Sequence, residues 1–206
     1  MGRPAYEFTT DWFTRFAGIW RQLLNQYRPS RHLEIGSYEG RCSCFLVEEC
    51  ARDRPMELHC VDTWLGGMEH EAATMAEVER RFDTNLAAAI AQAAQPVRFV
   101  KHKGASRTVL AQLLAERGAR SFDLIYVDGS HQAPDVLTDA VMAFELLEVG
   151  GLLIFDDYLW SHEAAGRQDH YNMPKPAIDA FVNVFQRKLE VFGAPLYQLF
   201  IRKVAH

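Results

Sequence analysis

The 206-residue sequence predicts an α/β fold, in which a mostly parallel sheet carries helices on both faces and ends in an antiparallel C-terminal hairpin. Short apolar runs alternate along the chain with longer segments of helical periodicity, which is typical of strands joined by helical crossovers. Each connection is long enough for successive strands to run parallel, and the helices then cover both faces of the sheet. The length fits one domain over residues 1–206.

The elements follow in order from the N-terminus. Residues 1–29 form a helical extension, because apolar side chains recur at helical spacing over 10–27; Thr10 can cap this helix, and Pro29 lies just beyond its end. The last residues are predicted to form two strands around Gly193–Pro195. The elements between them are strands at 32–36, 57–62, 97–101, 122–128 and 151–157, and helices near 40–51, 70–93, 107–117, 134–148 and 176–188. Together they predict a Rossmann-like sheet with an added hairpin.

Composition and charge exclude several classes of protein. Lys and Arg total 22 against 27 Asp and Glu, a net charge of −5, which argues against a nucleic-acid partner. No apolar run approaches the roughly 20 residues of a membrane span, and the first residues lack the apolar core of a signal peptide. We therefore expect a cytoplasmic protein with no membrane partner. The cysteines lack paired CxxC spacing and are predicted to be reduced thiols: Cys42, Cys44, Cys50 and Cys60.

A ligand is expected outside the carboxyl ends of the strands, where the strand order reverses. In the turn after the first strand, Gly36 and Gly40 let the backbone pass close to a ligand. Tyr38 occupies the place of the second glycine of G-x-G-x-x-G, which argues against NAD or FAD. Asp62 ends the second strand, where its carboxylate can accept both hydroxyls of a ribose, and Glu34 lies inside the first strand.

Three aspartates follow two later strands and indicate a metal site. Asp128 and Asp156 stand 28 positions apart, an interval that one strand–helix–strand crossover explains, and Asp157 lies beside them. Neighbouring strands lie about 4.8 Å apart, so these carboxylates can meet on one cation. Three acidic oxygens suit a hard divalent ion such as Mg²⁺. Without a metal, the aspartates would simply cap turns after their strands.

Together these features resemble a class I S-adenosylmethionine-dependent methyltransferase over residues 30–160. The resemblance implies that Asp62 holds the ribose of the cofactor, with Thr63 beside it, and that Trp64 flanks either cofactor or substrate. The segment at 103–113 is similar to the loop and helix around the adenine in the catechol O-methyltransferase group, although Ser106 also suits a helix N-cap. The implied methionine subsite is Glu34, Gly36, Ser37 and Gly40, and the implied adenine subsite is Gly104, Ala105, Ser106 and Arg107.

The aspartates and the histidine after them resemble the metal-dependent members of that group. There, one aspartate ends the fourth strand and an acid pair, commonly Asp-Asn, ends the fifth; here the pair is Asp156–Asp157. His131 stands near the place of the group's lysine base, and the pattern is closer to bacterial methyltransferases of sugar-bearing or other secondary metabolites. The resemblance implies methyl transfer to a small hydroxylated molecule, with Asp128 shared between metal and cofactor and His131 as the base.

Residues 158–176 form a long connection near the strand ends and are predicted to bind the substrate, with residues 64–85 as the opposite wall. The helix at 10–27 has more apolar surface than one solvated helix needs. It covers the active site, packs on a second subunit of a homodimer or, most commonly for such helices, packs on its own core. The candidate substrate contacts are Trp64, His131, Tyr158, Trp160, His162, His170 and Tyr171.

Two other functions remain open at the level of sequence. One is a methyltransferase that uses the same cofactor without a metal, with His131 as the only base. The other is an interaction protein that binds the cofactor without catalysis, which the presence of all three aspartates and His131 disfavours.

Overall fold

The computed structural model of the protein describes residues 5–67, 70–193 and 197–206. These residues form one seven-stranded sheet of order β3-β2-β1-β4-β5-β7-β6. Its strands are β1 (Arg31–Ile35), β2 (Met56–Asp62), β3 (Val97–Lys103), β4 (Phe122–Val127), β5 (Leu147–Phe155), β6 (Leu189–Val191) and β7 (Leu199–Lys203). The helices are α1 (Ala17–Tyr27), α2 (Arg41–Cys50), α3 (Met75–Gln92), α4 (Ser106–Arg117), α5 (Ala133–Leu146) and α6 (Pro174–Phe185).

The sheet topology confirms the predicted fold class. Strands β1 to β5 are parallel to one another, whereas β7 runs antiparallel to both of its neighbours, β5 and β6. The turn predicted between the last two strands includes residues 194 and 195, which lie outside the described residues. Strand order reverses between β1 and β4, so their carboxyl ends mark the expected ligand crevice.

Each face of the sheet buries its own apolar cluster. Side chains of α1, α2 and α3 pack on one face, and side chains of α4, α5 and α6 pack on the other. Trp20 of α1 is fully buried in the first cluster. The apolar surface of the N-terminal helix is therefore used in packing on its own core.

The main local correction concerns the start of this helix. The α-helix begins at Ala17, after a 3₁₀ turn at Thr14–Phe16, so the prediction that Thr10 caps a helix from residue 10 is wrong. Side chains hold the preceding residues in a non-helical path: Arg41 donates to the Thr10 carbonyl, and Asp11 accepts from the amide of Thr14. Elsewhere the bounds shift less; the largest shifts are the later start of α3 at Met75 and the earlier start of β5 at Leu147.

The four cysteines are free and buried, as predicted for reduced thiols. Burial raises the pKa of each thiol, so the reactive thiolate is disfavoured. Within the described ranges, none of the helices is both long and apolar enough to cross a bilayer.

Candidate active site

One large cavity, of about 1030 Å³, lies at the carboxyl ends of the strands. It brings together most of the residues that the sequence singled out, from both the predicted cofactor set and the predicted metal and base set. These residues are Glu34, Gly36, Ser37, Asp62, Thr63, Gly104, Ala105, Ser106, Arg107, Asp128, His131, Asp156, Asp157 and Trp160.

Gly36 lies where β1 and β4 approach each other at the cavity floor. Its φ of +85° is accessible to glycine at little cost, and a Cβ there would lie 1.8 Å from the carbonyl oxygen of Asp128. Backbone hydrogen bonds join the same turns, from Gly36 N to the Val61 carbonyl (2.8 Å) and from Asp128 N to the Ile35 carbonyl (2.7 Å). Gly36 therefore allows three strand ends to converge on the cavity.

Glu34 places a buried carboxyl group in the cavity wall, since only 1% of its surface is exposed. Its Oε2 accepts hydrogen bonds from the hydroxyls of Ser37 (3.1 Å) and Ser43 and from the Cys60 thiol (3.4 Å). Burial outweighs these bonds and raises the pKa of Glu34 to about 7. The cavity therefore contains an acid poised near neutrality, which a cationic ligand group would convert fully to the carboxylate.

Asp62, the last residue of β2, holds the backbone that follows each of the first two strands. Its Oδ2 accepts from the amides of Ser37 (2.8 Å) and Tyr38 (2.9 Å), and its Oδ1 accepts from the amide of Trp64 (2.7 Å). A carboxylate has about four acceptor sites, so Asp62 retains capacity for a ligand hydroxyl. Asp62 therefore both stabilises the backbone at the strand ends and lines the cavity.

The turn after β3 supplies another wall, through Gly104 to Arg107. Ser106 begins α4, and its side chain hydrogen-bonds with Asp139, a buried residue of α5 that also lines the cavity. Burial raises the pKa of Asp139 to about 6. Sequence reasoning missed Asp139 because it lies inside a helix, away from any strand end.

Asp128 and Asp156 follow neighbouring strands, as predicted: Val127 pairs with Phe155, and Asp156 N donates to the Val127 carbonyl (2.9 Å). Burial and the carboxylates of Asp156 and Asp157 raise the pKa of Asp128. Burial and Asp157 raise the pKa of Asp156 to about 6. These shifts share one physical cause, because several acidic groups crowd into a poorly solvated space.

His131 forms a pair with one of these acids. Its Nε2 lies 2.9 Å from Asp157 Oδ2, and its ring centroid lies 3.9 Å from that of Trp160. Tyr197 joins the group, since its hydroxyl hydrogen-bonds with Asp157 and Arg15, and burial and the Asp157 carboxylate raise the pKa of Tyr197. The contacts with Asp157 and Trp160 therefore fix the orientation of the His131 ring at the cavity wall.

The carboxylate oxygens of Asp128, Asp156 and Asp157 are ligands that a hard divalent cation prefers. Asp156 and Asp157, however, already form hydrogen bonds with other residues. Asp156 Oδ2 accepts from Tyr126 and from Gln198 (3.0 Å), and its Oδ1 accepts from the amide of Asp157 (2.8 Å). Among the described residues, no group of three or more His, Cys, Asp or Glu side chains is arranged to hold a metal ion. The three aspartates offer only oxygen ligands, and a bound cation would relieve the repulsion that contributes to the raised pKa values of Asp128 and Asp156.

Several predicted residues lie away from the cavity. Gly40 caps α2 with a φ of +80° and faces the ring of Phe82. Trp64 is 2% exposed, because its indole packs on Phe82 and its Nε1 donates to the Tyr38 carbonyl. Tyr158 instead donates to Asp179 at 2.6 Å. Three further predicted substrate contacts of the 158–176 segment are exposed and do not line the cavity: His162, His170 and Tyr171.

The N-terminal segment forms a cavity wall that sequence reasoning did not assign by residue. Glu39 holds this segment, because its carboxylate accepts from the amide and hydroxyl of Thr9 (2.6 and 2.7 Å). Aromatic periodicity predicted a helix here, whereas the side chains instead line the site. The wall consists of Phe8, Thr10, Trp12, Phe13 and Arg15.

Comparison with protein families and curated proteins gives two matches. A family model described as a methyltransferase domain matches residues 33–158, more than half of the chain. The uncharacterized protein y4gI of Sinorhizobium fredii is 30% identical over 141 residues. This alignment covers 68% of the chain and 14% of the relative, so the chain spans about one seventh of that protein's length.

Solved structures share the fold at low sequence identity. The O-methyltransferase TomG from Streptomyces achromogenes, described as involved in tomaymycin synthesis and in complex with SAM, is 18% identical with a TM-score of 0.68. That match covers 95% of this chain and 82% of TomG. The MycE methyltransferase of the mycinamycin biosynthetic pathway, in complex with Mg and SAH, is 19% identical with a TM-score of 0.61, covering 95% of this chain and 51% of MycE.

Proposed function

The chain belongs to the methyltransferase domain family, and on this basis we propose that it transfers a methyl group from S-adenosylmethionine to a hydroxyl oxygen of a small molecule. The observation that carries the proposal is the shared cavity at the strand ends. It joins Glu34, Gly36 and Asp62 to an acid cluster and to His131. TomG and MycE, whose structures contain SAM and SAH respectively, support the choice of cofactor, and TomG, an O-methyltransferase, supports the oxygen acceptor.

The cofactor fits the wall that Gly36 and its neighbours form. The missing Cβ at Gly36 lets three strand ends converge, and Asp62 retains acceptor sites for ribose hydroxyls. Glu34, with its pKa raised to about 7, matches the ammonium group of the methionine part, because a nearby cation stabilises the ionised carboxylate. The sulfonium methyl of the cofactor, when bound, is already activated, so the protein must align it and supply a nucleophile.

His131 acts as the base in this proposal. A carboxylate can only accept, so in the neutral ring Nε2–H donates to Asp157. With S-adenosylmethionine and the acceptor bound, the His131–Asp157 pair would take the proton of the acceptor hydroxyl, and the cofactor would supply its methyl group to that oxygen and leave as S-adenosylhomocysteine. Trp160 packs against the imidazole and limits its rotation, while Asp157 stabilises the imidazolium.

We extend the proposal to a divalent cation, Mg²⁺ by preference, held by Asp128, Asp156 and Asp157. The crowding of buried acidic groups supports it, and MycE is a relative in fold whose structure contains Mg. Such an ion, when bound, lowers the pKa of a hydroxyl and orients it. A metal-free reaction with His131 as the only base is the second candidate, favoured by the hydrogen bonds that already engage Asp156 and Asp157.

Transfer of labelled methyl groups from S-adenosylmethionine to a panel of phenolic and sugar-bearing compounds tests the proposal. We expect turnover of at least one compound and binding of S-adenosylhomocysteine. Tight cofactor binding without turnover of any compound would instead favour a non-catalytic interaction protein.

Chelation separates the two candidate mechanisms. We expect thorough EDTA treatment to lower turnover at least about tenfold, because a metal ion supplies several kcal/mol of charge stabilisation, and added Mg²⁺ to restore it. Unchanged turnover after chelation would leave the metal-free mechanism.

A further inference from the structure

Asp139 is a buried acid of the cavity that the proposed mechanism does not use. It is 2% exposed, it lines the cavity from α5, and its Oδ1 has no hydrogen-bond partner among the described residues. A carboxylate oxygen buried without a donor is unfavourable by about 1–3 kcal/mol or more. This position therefore points to a ligand that brings a donor.

The surroundings of Asp139 locate that ligand group. Its carboxylate lies between two turns: it hydrogen-bonds with Ser106 at the start of α4, and its Oδ2 would lie 3.8 Å from a Cβ at Gly129, after β4. The same cavity wall continues through Gly104 and Ala105. Asp62 and Glu34, which the proposed function assigns to ribose and methionine, lie near the carboxyl ends of β2 and β1 instead.

We propose that Asp139 accepts a hydrogen bond from the exocyclic 6-amino group of the cofactor's adenine and thereby selects adenine over other purines. The inference rests on the proposed function, since it assumes S-adenosylmethionine as the ligand. A carboxylate accepts and does not donate, and the 6-amino group is the one donor of the adenine ring in this cofactor. A 6-oxo purine presents an acceptor at the same place and would meet an acceptor in Asp139.

The test compares S-adenosylhomocysteine with S-inosylhomocysteine, which carries a 6-oxo group, by isothermal titration calorimetry. We expect the wild-type protein to bind the adenine compound at least tenfold more tightly. In Asp139→Asn the side-chain amide can donate to the 6-oxo group, so we expect the preference to fall below twofold or to reverse. The asparagine side chain has nearly the same shape and removes a buried charge, so thermal unfolding should confirm a folded variant.

Asp179→Asn is the matched control, because Asp179 also lies on a helix, α6, accepts from Tyr158 and does not line the cavity. We expect this variant to keep the tenfold preference. Wild-type binding of both compounds with equal affinity, or an unchanged preference in Asp139→Asn, would overturn the role of Asp139 while leaving the proposed methyl transfer intact. Failure of the wild-type protein to bind S-adenosylhomocysteine at all would overturn both.

Discussion

At the residue scale, Gly36 is the position where the fold tolerates least change. The φ of +85° disfavours any L side chain, and a Cβ at this position would overlap the Asp128 carbonyl at 1.8 Å. Because the contact is with backbone, no side-chain rotation can relieve it. An alanine at this position must displace the end of β4 from that of β1, which is also the floor of the cavity.

We therefore expect Gly36→Ala to lower the free energy of unfolding by about 2–4 kcal/mol and to abolish binding of S-adenosylhomocysteine. Urea unfolding and calorimetry measure the two effects. Gly18→Ala is the control, since Gly18 lies in α1 with no atom within 4 Å of a new Cβ, and alanine favours a helix by up to about 1 kcal/mol. Equal stability of the two variants would contradict the steric argument.

His131 is the residue on which the chemistry of the proposed function depends. We expect His131→Ala to lower turnover at least about tenfold, the contribution typical of a general base being 10²–10⁴-fold. Cofactor binding should change little, because the imidazole contacts Asp157 and Trp160. The control is His170→Ala, an exposed histidine that does not line the cavity. Near-normal turnover of His131→Ala would remove it from the mechanism.

At the scale of elements, the sequence predicts the strand ends well because parallel strands place their carboxyl ends together. Asp62, Asp128 and Asp156 each follow an apolar run, so their common cavity could be inferred without coordinates. Trp64 was expected to flank the cofactor or substrate, whereas it packs on Phe82, because a sequence does not show whether an aromatic side chain after a strand turns inward. Asp139 was missed because its role depends on how α5 packs against α4, a long-range contact that periodicity does not encode.

The N-terminal segment, residues 5–16, packs on the core and is also attached to it by polar contacts. Glu39 accepts two hydrogen bonds from Thr9, and Asn85 accepts from the amide of Glu7 (2.7 Å). The segment lines the cavity through residues such as Trp12, which is 55% exposed. Phe13 and Phe16 of this segment are buried in the core, so the polar contacts fix the residues before Phe13, and each charge-assisted bond contributes about 1.5–3 kcal/mol.

We expect Glu39→Ala to release this segment, so that trypsin cleaves after Arg15 at least about tenfold faster than in the wild-type protein. Affinity for the methyl acceptor should fall with it, because the segment forms one wall of the cavity. Glu49→Ala is the control, since Glu49 of α2 accepts from the exposed Arg21 (2.8 Å) and not from the N-terminal segment as far as the structure describes it. Unchanged cleavage in Glu39→Ala would show that apolar packing alone holds the segment.

At the scale of the whole molecule, buried acids and buried histidines impose opposite dependences of stability on pH. Glu34 and Asp139 have raised pKa values, about 7 and about 6, so their contribution is greatest at low pH and is lost as pH rises through those values. Burial lowers the pKa of His32 to about 4, and also that of His59 and His102. The stability that these histidines contribute is fully present above pH 6.5, the pKa of histidine in the unfolded chain, and is lost as the pH falls towards their folded pKa values. Between about pH 4 and 7, a rise in pH therefore lowers the free energy of unfolding through the acids and raises it through the histidines.

Because these effects oppose each other, only a variant can isolate the histidine contribution. The ring of His32 is fully buried, its Nδ1 lying 3.2 Å from the Glu57 carbonyl oxygen, and at pH 5 the unfolded chain gains a proton there that the folded protein does not. Urea unfolding should show the wild-type protein more stable than His32→Asn at pH 7.5, with the difference narrowing by about 2 kcal/mol at pH 5. His162→Asn, at an exposed position, should differ from wild type equally at both pH values. A constant difference for His32→Asn would mean that this imidazole takes up its proton as readily in the folded protein as in the unfolded chain.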